Sequence, residues 1–231
     1  MGEFPAFKKI PRLSKPVVIT EKIDGTNGVI QVERQHWGYS REHEDPTVID
    51  IITDETVIGE EDGLPEYQFV IRAGSRNRWL APGADNFGFA SWVQRNAKTL
   101  TRLGPGLHYG EWFGKGIQRG YGLDDRRFAL FNVAKWYDPR DEHGDAYRAD
   151  FANAAECPEV CTVVPVMAVV DGHRMNDAVA VTLDVLTAVG SWAVPGFRNP
   201  EGVVAYHTAA NQLFKAFPGN DNTPKSLRVA A

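Results

Sequence analysis

A single lysine, Lys22, stands two residues before Asp24 and three before Gly25, at the end of the apolar run Val17-Val18-Ile19. A lysine amine attacks phosphorus only after losing its proton. Ordinary lysines titrate at about 10.4, so at neutral pH such a nucleophile needs desolvation or cationic neighbours. The chemistry further requires a pocket, phosphate-binding cations and a carboxylate for a metal. Taken alone, Asp24-Gly25 is ordinary hairpin-turn chemistry with a solvated lysine beside it. The rest of the chain must supply the other parts.

The elements expected to carry them follow from periodicity. Val17–Ile19 and the alternating Val29-Ile30-Gln31-Val32-Glu33 read as strand, tight turn, strand, with Lys22 at the rim of a sheet. Further strands are predicted at Val48–Ile52, Tyr67–Ile71, Leu107–Phe113, Phe128–Val133, Thr162–Val170, Gly202–Tyr206 and Gln212–Phe217. A helix is predicted from Asp85, with Phe89, Val93, Ala97 and Leu100 on one face and Gly104-Pro105 as its stop. A short helix is expected over Arg148–Glu156, and a longer one over Asp177–Val189 with Val179, Leu183 and Leu186 inward. Strands and helices alternate without a regular βαβ rhythm, so the class is α+β with antiparallel sheets. Residues 42–66, rich in Asp and Glu, read as an acidic surface insertion, and residues 1–231 as a single domain.

Composition bounds the function. The 231 residues are 43% apolar and 24% charged, ordinary for a globular protein with a real core. A net charge of −5 argues against indiscriminate coating of nucleic acid, so any polynucleotide must meet local basic clusters. One such cluster is Lys115, Arg119, Arg126 and Arg127. Cys157 and Cys161 make no disulfide framework and are expected as reduced core residues. No run of 18 apolar residues exists, and the start lacks an apolar signal core. A cytoplasmic protein without membrane contact is expected. Gly110-Glu-Trp-Phe-Gly114-Lys115 looks like a phosphate loop, but three residues rather than four intervene, and Gly116 replaces the needed Ser or Thr.

In order, the chain offers Lys22-x-Asp24-Gly25, Ser75-Arg76, Gly110-Glu111-Trp112-Phe113-Gly114, Phe128-x-x-Phe131, Glu201-Gly202-Val203-Val204 and a strand bearing Lys215. This resembles the covalent nucleotidyltransferases, the polynucleotide ligases and capping enzymes, and within them the RNA ligases of the phage nick-sealing type. Glu21-Lys22-Ile23-x-Gly25-Thr26-Asn27 is similar to their nucleophile motif. Gly110-Glu111-x-x-Gly114-x-Gly116-Ile117-Gln118, with Phe131 twenty residues after Glu111, matches their third motif and its spacing.

The resemblance implies a nucleotidyltransferase (adenylation) fold: two antiparallel sheets flanked by helices, with a nucleotide cleft between them. It also implies an ATP-dependent RNA ligase joining 5′-phosphate and 3′-hydroxyl ends, including those of nicked duplexes, in RNA repair. Lys22 would attack the α-phosphate of ATP, and Lys215 would supply positive charge there. Glu201, with Asp24, would hold Mg²⁺ (or Mn²⁺) largely through water. Glu111 would accept from a ribose hydroxyl, Phe131 would stack on adenine, and Glu21 would read the adenine amino edge. Ile23, Asn27 and Arg76 would complete the nucleotide contacts, with Arg78 and Arg41 as rivals to Arg76.

Departures from the family pattern are specific. Asp24 stands where the nick-sealing enzymes often carry His, Asn132 where Asp is common, and Leu213 where a first lysine usually precedes Lys215 by two residues. Either Lys215 acts alone or Lys225 folds back to help. No separate C-terminal domain is expected after this motif. The rival readings are a minimal ATP-dependent DNA ligase and a nucleotide- or nucleic-acid-binding module without ligation activity.

Overall fold

The computed structural model describes residues 7, 9–37, 45–59, 63–85 and 87–219. Lys225 and Arg41 lie outside the described residues. The chain divides into two compact units, one of residues 1–22 and 165–231, the other of residues 23–164 inserted between them. The first unit contributes β1 (Pro16–Lys22) before the insertion begins.

The inserted unit contains β2 (Thr26–His36), β3 (Val48–Ile58), β4 (Pro65–Gly74) and β5 (Trp79–Leu80). Helices α1 (Phe89–Arg95) and α2 (Ala97–Leu100) follow, then β6 (Gly106–Gly114) and β7 (Arg126–Leu130). It closes with β8 (Trp136–Tyr137), β9 (Ala155–Glu156) and β10 (Cys161–Val163). Seven strands form one sheet in the order β10-β7-β6-β2-β4-β3, with β5 paired to β4. Every pairing is antiparallel except β10 with β7, and β8 pairs with β9 in a separate parallel ribbon. The sheets are therefore not purely antiparallel as expected.

Strand alternation decides what this sheet buries. Ile30, Trp112, Phe128 and Leu130 face Phe89, Val93, Ala97 and Leu100 of the two helices in one apolar core. Rings interlock there, with Phe89 5.1 Å from Phe128 and Trp92 5.2 Å from Trp112 between centroids. The expected helical face is correct, but the helix is broken at Asn96. Its side-chain amide donates to the Trp92 carbonyl at 2.8 Å, a local bond that competes with helix continuation. Gly104, at φ 71°, ends the following 3-10 turn.

One strand is longer than expected, and two further expectations are corrected. The acidic stretch 42–66 supplies β3, which pairs with β4 along its length, and its Asp54 is buried in an ion pair with Arg34 at 2.8 Å. The strand expected at Val48–Ile52 therefore runs on to Ile58. The helix expected at Arg148–Glu156 is a 3-10 segment, Gly144–Phe151, followed by β9. The strand expected over Thr162–Val170 breaks at Val164-Pro165, where proline lacks the N–H that a ladder needs. Its halves join different sheets.

The first unit resumes with β11 (Val166–Asp171), α3 (Met175–Val189), β12 (Gly202–His207) and β13 (Gln212–Ala216). They form an antiparallel sheet in the order β11-β1-β12-β13. On one face Val17, Ile19, Met167, Val203 and Ala205 bury against Leu186 of α3, with Val179 and Leu183 alongside. Each such fully buried aliphatic side chain contributes about 1.5–3 kcal/mol. Gly190, at φ 90°, donates to the Leu186 carbonyl and stops the helix.

Candidate active site

In the first unit, alternation along β1 sends Glu21 to the helix-covered face with Val17 and Ile19, and Lys22 to the opposite one. Lys22 pairs in register with Gly202, the first residue of β12, which brings Glu201 alongside. The Lys22 Nζ donates to Glu201 Oε2 at 2.5 Å, with the carboxylate only 5% exposed. Lys215 pairs with Val204, which pairs with Thr20, so Lys215 shares the Lys22 face of the sheet. Two strands across and two residues along place the two lysine Cα atoms roughly 12 Å apart, within reach of one phosphate by two long side chains.

The Glu21 side chain is committed to partners within the first unit. Its carboxylate accepts from the Ser191 hydroxyl at 2.6 Å and from the backbone N–H groups of Trp192 and Ala193 at 2.8 Å each. The side chain is 1% exposed. It anchors the turn after α3 and so holds the strand that presents Lys22.

In the inserted unit, Asp24 and Gly25 precede β2. Asp24 accepts from Arg119 Nε at 3.0 Å, and its backbone N–H donates to the Tyr121 hydroxyl at 2.8 Å. Glu111 pairs in register with Asn27. Its carboxylate accepts from the Gly25 N–H at 3.1 Å and from the Asn27 amide at 3.2 Å. Arg76 donates to Asn27 Oδ1 through Nε at 3.1 Å and through its terminal nitrogen at 2.7 Å. Gly25 has no room for a side chain, since a Cβ would lie 2.5 Å from the Trp112 carbonyl and 3.0 Å from Glu111 Cγ. Ile23 is buried at 4% exposure, which leaves its backbone for any ligand contact.

Phe131 and Phe128 divide as strand geometry demands. Phe128 is wholly buried in the ring cluster, whereas Phe131, one residue past β7, is 40% exposed. Its N–H donates to the Tyr109 carbonyl at 3.0 Å, so it extends the ladder on the sheet face that carries Glu111.

Sequence reasoning missed Tyr121 and Ser191. Tyr121 sits at φ 54° within a loop where Gly114, Gly116, Gln118, Gly120 and Gly122 also have positive φ. The glycine-rich run Gly114–Gly122 was the available signal for such a loop. Of the basic cluster, Arg119 serves Asp24, Arg126 donates to the Lys115 and Phe87 carbonyls, and Arg127 pairs with Asp125. The three arginines thus brace the loop.

Among the described residues, no group of three or more His, Cys, Asp or Glu could hold a metal ion. Mg²⁺ keeps most of its waters and binds one or two carboxylates plus substrate phosphates, so a site for it needs no such group. Among the described residues, no helix is long and apolar enough to cross a membrane.

The chain is a mixed α+β protein with a lysine and a carboxylate paired at the rim of one sheet. The profile of the family described as RNA ligase matches residues 15–217, and the chain belongs to that family. No curated protein matches it in sequence. Solved structures of an RNA ligase from Naegleria gruberi are similar to it. A lysine-to-alanine mutant with ATP and Mn is 17% identical over 88% of this chain and 49% of that one, with a TM-score of 0.45. The same ligase with PPi is 17% identical over 94% and 58%, with a TM-score of 0.44. Another mutant, with AMP and Mn, is 16% identical over 94% and 58%, with a TM-score of 0.44. This chain therefore spans 49–58% of the length of those chains.

Proposed function

We propose that residues 1–231 act as one adenylation module of an ATP-dependent RNA ligase, joining 5′-phosphate and 3′-hydroxyl ends. The observation that carries this reading is the Lys22 amine held 2.5 Å from the Glu201 carboxylate. Family membership and the ATP-bound relatives support the choice of nucleotide.

In the proposed first step, Lys22 Nζ bonds to the α-phosphorus of ATP, the bond to the bridging oxygen of the β-phosphate breaks, and pyrophosphate leaves. The amine gives up a proton, and Glu201 Oε2 stands within hydrogen-bond reach of it. Lys215 offers charge to the phosphate from the same sheet face. Glu111 accepts from a ribose hydroxyl, Phe131 stacks on adenine, and Asn27 and Arg76 add contacts to the sugar and phosphate. A divalent cation, Mg²⁺ or Mn²⁺, would neutralise triphosphate charge, with Glu201 and Asp24 as its protein carboxylates. In the second step a 5′-phosphate oxygen takes the AMP from Lys22, freeing the amine. In the third, a 3′-hydroxyl attacks the activated phosphate, forming the phosphodiester and releasing AMP.

Incubation with ATP and Mg²⁺ followed by intact-mass measurement tests the reading. One added AMP is expected on the wild type and none on Lys22→Ala. An unmodified wild-type protein in the presence of both would overturn it. Sealing of nicks with ribose or deoxyribose at the 3′ side then separates RNA from DNA ligation.

A further inference from the structure

The face of the seven-stranded sheet that carries Glu111 also carries a row of exposed rings. Register places Trp79 of β5 opposite Gly74 of β4, Gly74 opposite Val29 of β2, and Val29 opposite Tyr109 of β6. Phe131 extends the row through its bond to the Tyr109 carbonyl. Trp79 is 40% exposed and Tyr109 56%, and Leu107 beside Tyr109 on the same face is 50% exposed. Trp79 is seated, not stray. A Cβ on Gly74 would lie 3.1 Å from the indole and 2.7 Å from Val29, so the missing side chain is the space the ring occupies.

Directly before it, the turn Ser75–Arg78 is closed by the Ser75 N–H donating to the Arg78 carbonyl at 2.8 Å. That closure leaves the Arg78 side chain exposed, and it makes no hydrogen bond or ion pair with any of the described residues. Trp79 lies three strands from Tyr109, about 14 Å, beyond what a single adenine bridges. The proposed nucleotide therefore does not account for it.

Resting on the ligase reading above, we infer that Trp79 and Arg78 form a contact surface for an unpaired stretch of the RNA strand being joined. An aromatic face beside an uncommitted cation is the combination that single-stranded nucleic acid meets by base stacking and phosphate contact. Duplex hides its base faces and fits poorly. In a chain of net charge −5, an exposed guanidinium unpaired among the described residues is also where a phosphate would be drawn.

The test uses the full chain with Trp79→Ala, Trp79→Phe and Arg78→Ala. Fluorescence anisotropy follows a labelled single-stranded oligoribonucleotide across salt concentrations, and intact mass follows self-adenylation. Trp79→Ala should weaken RNA binding by about ten-fold or more, with Trp79→Phe recovering most of the loss. Arg78→Ala should weaken it and lower the salt slope by about 0.7, one phosphate contact on a single strand. Adenylation should match the wild type in both Trp79 variants. RNA affinity unchanged in both Trp79→Ala and Arg78→Ala overturns the inference, as does a wild type without affinity for single strands. A change in oligomeric state with RNA binding intact assigns the surface to a second copy and overturns it too. Loss of adenylation in the wild type sinks the ligase reading instead, and the binding measurements remain readable by themselves.

Discussion

At the level of single residues, the two phenylalanines divide into one exposed ring and one buried ring. Phe131→Ala is expected to raise the KM for ATP in self-adenylation while the melting temperature stays near wild type. Phe128→Ala, at the centre of the ring cluster, should instead cost about 3–5 kcal/mol of stability. Steady-state adenylation and denaturant unfolding decide between them, and the reverse pattern would remove Phe131 from the nucleotide contacts. The placement of Glu111 is equally specific. Its carboxylate ties the Gly25 N–H and the Asn27 amide, so a single side chain shapes the turn after Lys22. The sequence singled out Lys22, Asp24 and Gly25 by their spacing and Glu111 and Glu201 by family resemblance, and the structure sets Lys22 beside Glu201 and Glu111 beside Gly25. The partners of the Glu21 carboxylate were not legible, because Ser191, Trp192 and Ala193 lie some 170 residues away and no local pattern announces them.

Among the elements, the turn after α3 and strand β1 depend on one buried carboxylate. Ser191→Ala removes a donor to Glu21 and an acceptor for the Val194 N–H. A loss of about 1–3 kcal/mol is expected from urea unfolding, with a smaller effect on the KM for ATP than on stability. An unchanged midpoint would show that the backbone donors of Trp192 and Ala193 suffice. Strand and helix positions were readable wherever apolar periodicity was strong, as in β1, β2, β6 and α3. They were misread where a local bond or a proline intervened. The Asn96 side chain breaks a helix whose apolar face continues across it, and Pro165 divides an apolar run whose composition shows no seam. The parallel pairing of β10 with β7 was likewise invisible, since pairing direction leaves no mark in a three-residue strand.

For the molecule as a whole, the pH response of stability has a named source. His108 is 5% exposed in the inserted unit, with Nε2 2.9 Å from the Gly104 carbonyl. Burial, with Lys135 adding to it against the pull of the Gly104 carbonyl, holds the imidazole below its ordinary range. The unfolded chain then binds a proton that the folded one resists. Stability from this group is complete above about 6.5 and is lost as pH falls through the folded value. Melting temperatures taken downward from neutral pH should decline before the carboxylate range is reached, and His108→Gln should flatten that decline. An equal slope in the variant would assign the effect elsewhere. The division into units was not legible, because the inserted segment begins directly after Lys22, within a continuous motif.

The buried thiols of the inserted unit have a practical consequence. Cys157 and Cys161 are 1% and 0% exposed, and burial pushes the first up to about 12 and the second higher still. Maleimide dyes react with accessible thiolates, so the native protein should take up none, whereas denaturant should release two reactive sulfurs. A cysteine introduced at an exposed position such as Asn77 could then be labelled selectively without removing the native pair. The rate at which the two hidden sulfurs become modified would clock the opening of the segment that contains them.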